Sequence, residues 1–212
     1  MKKLLTILFC FILAIALMAC SNQKNNSLSN DENDIKSASS EDANNDVKNQ
    51  SKKTLIAYFS ATGSTEQVAT YIASETGGML LKLTPEDPYT EEDLDYNDDN
   101  SRVVNEYNNP EQRNIKLEES TISDFDDYDT IFVGYPIWWG IAAWPINDFV
   151  EANNFEGKTV IPFCTSASSG LGDSAKQLKE LSNGGNWLEG MRFSSGVSQD
   201  EVVDWINELN LQ

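Results

Sequence analysis

Hydrophobic and polar positions divide the chain into three stretches. Leu4 to Ala16 is an almost unbroken apolar run, residues 21–53 are nearly all Ser, Asn, Asp, Lys and Gln, and from Thr54 onward short apolar runs alternate with amphipathic segments. In the third stretch, apolar runs at 54–59, 79–83, 130–134, 159–164 and 191–193 end in Gly, Pro or polar residues and are predicted strands. Between them, helical spacing predicts a helix over 65–76 with Val68, Ala69, Ile72 and Ala73 inward and Gly77-Gly78 as its stop. Further helices are predicted over 144–152, with Pro145 in the first turn, over 173–181, and over 199–209 with Val202, Val203, Ile206 and Leu209 on one face. Strands separated by helices imply right-handed parallel crossovers.

Residues 84–129 break this rhythm. Pro85, Pro88 and Pro110 fence an acidic segment too long for a plain loop, in which 91–106 is predicted to hold a helix built on Leu94, Val103 and Val104. A solvated insertion is the expectation for this region, and a lid or partner surface is the alternative.

The first two stretches are not domain material. Met1-Lys2-Lys3, the apolar run and Leu17-Met18-Ala19-Cys20 have the arrangement of a secretory leader, and the last four residues resemble the lipobox of bacterial lipoproteins. The run is short of the roughly 20 residues that span a bilayer. The expectation is therefore a signal peptide over 1–19, a lipidated Cys20, and a polar tether to residue 53, on the extracytoplasmic face of the cell membrane. Without aromatic residues the tether has too little apolar surface to offset the entropy of ordering, and it reaches on the order of 30 Å as a flexible chain. Residues 54–212 are enough for one core.

The chain's net charge of −19 is concentrated in that domain, where 8 basic side chains face 28 acidic ones. Such a surface repels nucleic acid and anionic lipid heads, leaving the lipid as the only expected membrane contact. It keeps the domain soluble and steers a basic partner. The chain has no histidine, which removes Ser-His and Cys-His catalysis and histidine metal sites. Of its three cysteines only Cys164 remains in the domain, at the end of an apolar run, where it reads as a small buried hydrophobe.

Candidate chemistry sits at three strand ends. After the first strand come Ser60-Ala61-Thr62-Gly63-Ser64-Thr65, whose hydroxyls and backbone amides can converge on an anion at a helix N-terminus. The loop lacks the Gly-Lys-Ser/Thr ending that nucleoside triphosphates need, so a single terminal phosphate fits it better. After the third strand come Tyr135-Pro136-Ile137-Trp138-Trp139-Gly140, and after the fourth come Thr165-Ser166-Ala167-Ser168-Ser169-Gly170. In an open parallel sheet all three loops reach one crevice beyond the carboxyl ends of the strands.

The first loop resembles the phosphate loop of the flavodoxins, Ser/Thr-x-Thr-Gly-x-Thr. The other two resemble those of small bacterial flavodoxin-like proteins, some of them predicted lipoproteins. The resemblance runs from Thr54 to the C-terminus. It implies an α/β three-layer sandwich around a five-stranded parallel sheet of order 2-1-3-4-5, and noncovalent FMN as cofactor. Its phosphate is expected at Ser60, Ala61, Thr62, Gly63, Ser64 and Thr65, and its ring against Trp138 or Trp139, with core packing between sheet and helix as the alternative for either indole and for Trp144. Backbone groups of Tyr135, Pro136, Ile137 and Gly140, and of Thr165, Ser166, Ala167, Ser168 and Gly170, are expected at its polar edge. Ala167 stands where relatives often carry Gly, and a methyl there penalises φ above zero. No catalytic side chain and no metal site is expected. The implied function is electron transfer with a redox protein or a small acceptor. The alternatives are an FMN-dependent reductase of a quinone or other small acceptor, which the lack of an aromatic residue in the third loop keeps open, and a surface-displayed binding domain without cofactor.

Overall fold

The structure, a computed structural model, describes residues 52–211. The expected leader, the lipid site at Cys20 and the tether up to residue 51 lie outside the described residues. In chain order the elements are β1 (Thr54–Tyr58), α1 (Ser64–Thr76), β2 (Met79–Lys82), α2 (Arg102–Asn108), β3 (Thr130–Trp138), β4 (Ile141–Ala142), α3 (Pro145–Ala152), β5 (Thr159–Thr165), α4 (Ser174–Leu181), β6 (Asn186–Trp187), β7 (Met191–Phe193) and α5 (Gln199–Glu208). Among the described residues no helix is long and apolar enough to cross a membrane.

The strands pair in parallel in the order β2-β1-β3-β5, and the place beyond β5 is shared by β6, against Thr159 and Val160, and β7, against Phe163–Thr165. This is the expected order 2-1-3-4-5 with its last strand split in two. The other addition is the antiparallel pairing of β4 with the end of β3, which carries β3 four residues past Gly134, its expected end.

Because the central strands are covered on both faces they read as continuous apolar runs, and their alternation sorts the core into two layers. Leu55, Ala57, Ile131, Val133 and Tyr135 pack with Ile146, Phe149 and Val150 of α3 and Leu178 of α4. Ile56, Tyr58, Phe132, Ile161 and Phe163 pack on the other side with Val68 and Ile72 of α1 and with Val202, Trp205 and Ile206 of α5. Trp205, whose part in the core its polar neighbours conceal, meets Phe132 and Phe193 edge to face, with centroids 5.8 and 5.3 Å away. Helix α5 starts at a capping box, Ser198 with Glu201. Gly134 is required by packing: a Cβ there would stand 2.2 Å from the end of the Phe163 ring. Cys164 is fully buried, as expected, and burial pushes its thiol up to about 12.

The predicted helix over 91–106 does not form as such. Turns occupy 91–94 and the helix begins only at Arg102, because Ser101 caps it by accepting from the Val104 amide.

Candidate functional site

The β1–α1 loop is built around Gly63, the N-cap of α1, whose φ of 90° is left-handed. A Cβ there would meet nothing within 4 Å, so it is the backbone conformation and not space that calls for glycine. The Ser60 hydroxyl accepts from the amides of Gly63 and Glu66 at 3.1 and 3.2 Å, which leaves its own proton free to be donated to a ligand. The amides of Ser64 and Thr65 open the helix and have no intrahelical acceptor, and the helix dipole adds to their attraction for an anion. Glu66, the acidic residue of the first turn, is held by Lys82 at 3.0 Å and by the Tyr58 hydroxyl at 3.3 Å.

Thr65 is 1% exposed, and its hydroxyl pairs with that of Thr165 at 2.8 Å. One hydroxyl proton is consumed in that pair and the other remains. The pair joins the first loop to the third beneath the cleft, a role for Thr65 and Thr165 that the sequence reading did not contain.

Between Trp138 and Ile141 the chain turns on two residues, Trp139 and Gly140, with φ of 47° and 81°. Two-residue hairpins with both residues left-handed favour Asn-Gly. A tryptophan in the first position carries backbone strain of order 1–3 kcal/mol, a kind of strain that clusters at ligand sites. The two indoles are placed differently. Trp138 is partly buried and meets Phe59, Tyr89 and Trp144 edge to face at 5.6, 5.3 and 4.8 Å. Trp139 is 39% exposed and lies flat on Tyr107, centroids 4.5 Å apart and planes 11° from parallel. Trp144, whose place the sequence left open, is 1% exposed and packs in the core. Tyr135 is fully buried with its hydroxyl 3.1 Å from Ser174, and burial raises its phenol well above the usual value; its side chain belongs to the core.

The third loop is held from below by Arg192 of β7. Its Nε donates to the Ser166 hydroxyl at 2.9 Å, and its Nη2 donates to the carbonyls of Ser166 and Ala167 at 2.7 and 3.1 Å. The Ser166 hydroxyl in turn donates to the Ser169 carbonyl. Arg192 was not anticipated, since a cation inside a three-residue apolar strand reads as a solvated face. Ala167 is not at positive φ, so its methyl carries no penalty.

These loops enclose a cleft of about 500 Å³, of the size that takes a planar cofactor ring. Of the anticipated residues, Ala61, Thr62 and Ser64 line it from the first loop, Pro136, Ile137, Trp138 and Trp139 from the hairpin, and Thr165, Ser166 and Ala167 from the third loop. Ser60, Gly63, Thr65, Tyr135, Gly140, Ser168 and Gly170 shape those loops from outside the lining. Ser195 and three residues of the acidic segment, Leu94, Tyr96 and Val103, complete it.

The acidic segment is thus a wall of the cleft and not merely a solvated insertion. It is anchored by Glu106, 4% exposed, whose carboxylate accepts from Tyr89 Oη at 2.6 Å, Trp144 Nε1 at 2.7 Å and Arg102 Nε at 2.7 Å. The Arg102 guanidinium lies 4.0 Å from the centre of the Tyr89 ring. Burial first, and then the bond to Glu106, holds the Tyr89 phenol far above its ordinary value, so it stays a donor. Arg113 adds a bond from Nε to the Glu106 carbonyl at 2.9 Å and lies 5.1 Å from the Trp144 ring centre.

The donors suit FMN. Hydroxyls and helix amides stand at one end of an aromatic, largely apolar cleft, as a phosphate at one end of a flat ring requires. No cluster of His, Cys, Asp and Glu fit to hold a metal occurs among the described residues.

A flavodoxin family profile matches residues 53–209. Among solved structures, a putative flavoprotein of Bacteroides eggerthii is 38% identical, covering 76% of this chain and 100% of its own, with a TM-score of 0.68. One of Bacteroides uniformis is 41% identical over 74% of this chain and 98% of its own, also at 0.68. A Lactobacillus acidophilus flavoprotein solved in complex with FMN is 25% identical over 73% of this chain and 98% of its own, at 0.48. No curated protein matches. With the profile spanning the whole domain, the chain belongs to the flavodoxin family, whose cofactor is FMN.

Proposed function

We propose that this flavodoxin is an electron carrier that holds FMN in the cleft and is tethered by Cys20 to the outer face of the cell membrane. Bound there, FMN supplies one- or two-electron redox chemistry at its ring. The Ser60 hydroxyl, the Thr62 and Ser64 side chains and the first-turn amides of α1 take the phosphate, and the indole hairpin shelters the ring from water. The acidic surface disfavours additional negative charge on the ring and draws in a basic redox partner.

The observation that favours a carrier over a reductase is the lining itself. Among the described residues its lining holds no carboxylate, amine or thiol, and the Tyr96 phenol is its one ionisable side chain, so its walls offer little to move protons to or from a substrate. The test is to reduce the flavin-loaded protein chemically and follow its oxidation by added acceptors. Stoichiometric transfer is expected, and nicotinamide-driven quinone reduction is expected to stay at the rate of free FMN. Steady-state turnover well above that rate would establish the reductase reading instead.

The tether is tested in cells. Fatty-acid labelling and membrane fractionation should mark the natural chain and spare Cys20→Ala. Equal labelling of both would end the lipid-anchor reading.

A further inference from the structure

Among the described residues Tyr96 is the most exposed of the large hydrophobic side chains, 72% accessible, yet it lies on the wall of the cleft. Its neighbours Tyr89 and Tyr107 pack on Trp138 and Trp139, whereas among the described residues the Tyr96 ring has no aromatic contact. The backbone on either side is fixed. The Asn97 amide donates to Asp95 Oδ1 at 2.9 Å, the Asn100 amide to Asp98 Oδ1 at 2.9 Å, and the Val103 amide to the Asp93 carbonyl at 3.0 Å. These turns feed directly into α2, which the Glu106 network ties to Trp144. An ordered loop therefore presents an unpartnered aromatic ring at the mouth of a cleft. The loop after β5, Thr165 to Gly170, contributes no ring at all.

From this placement we infer that Tyr96 packs on the planar ring of the bound cofactor, so that the acidic insertion provides the aromatic cover that the loop after β5 lacks. The inference rests on FMN occupying this cleft. It explains why a segment with so many carboxylates is folded firmly against the site: its turns hold one phenol ring in place. A phenol lying over the flavin leaves less of the ring open to a planar acceptor, which deepens the carrier reading.

The test uses the protein labelled throughout with 3-fluorotyrosine, with the Tyr96 fluorine signal assigned by its loss in Tyr96→Phe. Saturation with FMN is expected to move that signal through the ring current of the flavin. Tyr96→Ala is expected to weaken FMN binding about tenfold, and Tyr96→Phe, which keeps the ring, to bind within about threefold of the natural protein. Because the side chain has little packing to lose, both variants should fold. An unmoved Tyr96 signal at saturation, or Tyr96→Ala binding FMN as tightly as the natural protein, would overturn the inference while leaving the cofactor assignment intact. Failure of the natural protein to bind FMN would overturn both.

Discussion

Replacing Glu106 by alanine is expected to lower the unfolding free energy by about 3 kcal/mol or more, and to weaken flavin binding as well. The carboxylate is 4% exposed and satisfies three donors, so its removal strands the Trp144 indole N–H, the Tyr89 hydroxyl and the Arg102 guanidinium together. Each stranded buried donor carries a desolvation penalty of about 1–3 kcal/mol, more for a charged group. Arg102, whose side chain is 21% accessible, recovers part of its share from water. Glu106→Gln keeps the size and one acceptor oxygen but gives up the ion pair, and should fall between the two. Urea unfolding of the three proteins, followed by flavin titration of the folded ones, measures both effects. A Glu106→Ala protein within about 0.5 kcal/mol of the natural one, the usual range of a surface change, would show that the insertion is not anchored through this network.

That anchor also marks the limit of what the sequence made legible. The strands and most helices were readable because each buries a continuous run or a regular stripe, and periodicity records burial directly. The three strand-end loops were readable because their chemistry is local: hydroxyls and a glycine before a helix, a Pro and two indoles after a strand. The walls of the cleft contributed by Leu94, Tyr96 and Val103 were not. The helix expected on Leu94, Val103 and Val104 gives way to short Asx turns, and the order of the segment comes from these and from contacts across 17 and 38 residues to Glu106. Position in sequence says nothing of such pairings. The split last strand and the β3–β4 hairpin were missed for a related reason, since two-residue strands carry no pattern and Trp-Gly is an uncommon hairpin turn. The loop pattern and its place at the helix N-terminus make Thr65 a ligand donor, whereas its burial and its pairing with Thr165 depend on a residue 100 positions away.

Substituting Gly63 by aspartate is expected to reduce FMN affinity by at least about 100-fold, chiefly through charge. There is room for the side chain, since a Cβ meets nothing within 4 Å, and Asp tolerates the left-handed backbone better than most residues. The protein should therefore fold with a loss of about 1 kcal/mol. What changes is the site. A carboxylate a few ångströms from a phosphate that carries up to two charges costs roughly 3 kcal/mol or more at the effective dielectric of a protein surface. Gly63→Asn has nearly the same shape without the charge, and should lose less than about tenfold.

The most direct test of the account is a calorimetric titration of FMN into the natural protein, Gly63→Asp and Gly63→Asn under one buffer. One FMN per chain is expected in the natural protein, with near-natural binding in the asparagine variant and little or none in the aspartate variant. Equal binding in all three would place the phosphate elsewhere, and the absence of saturable binding in the natural protein would contradict the cofactor site itself.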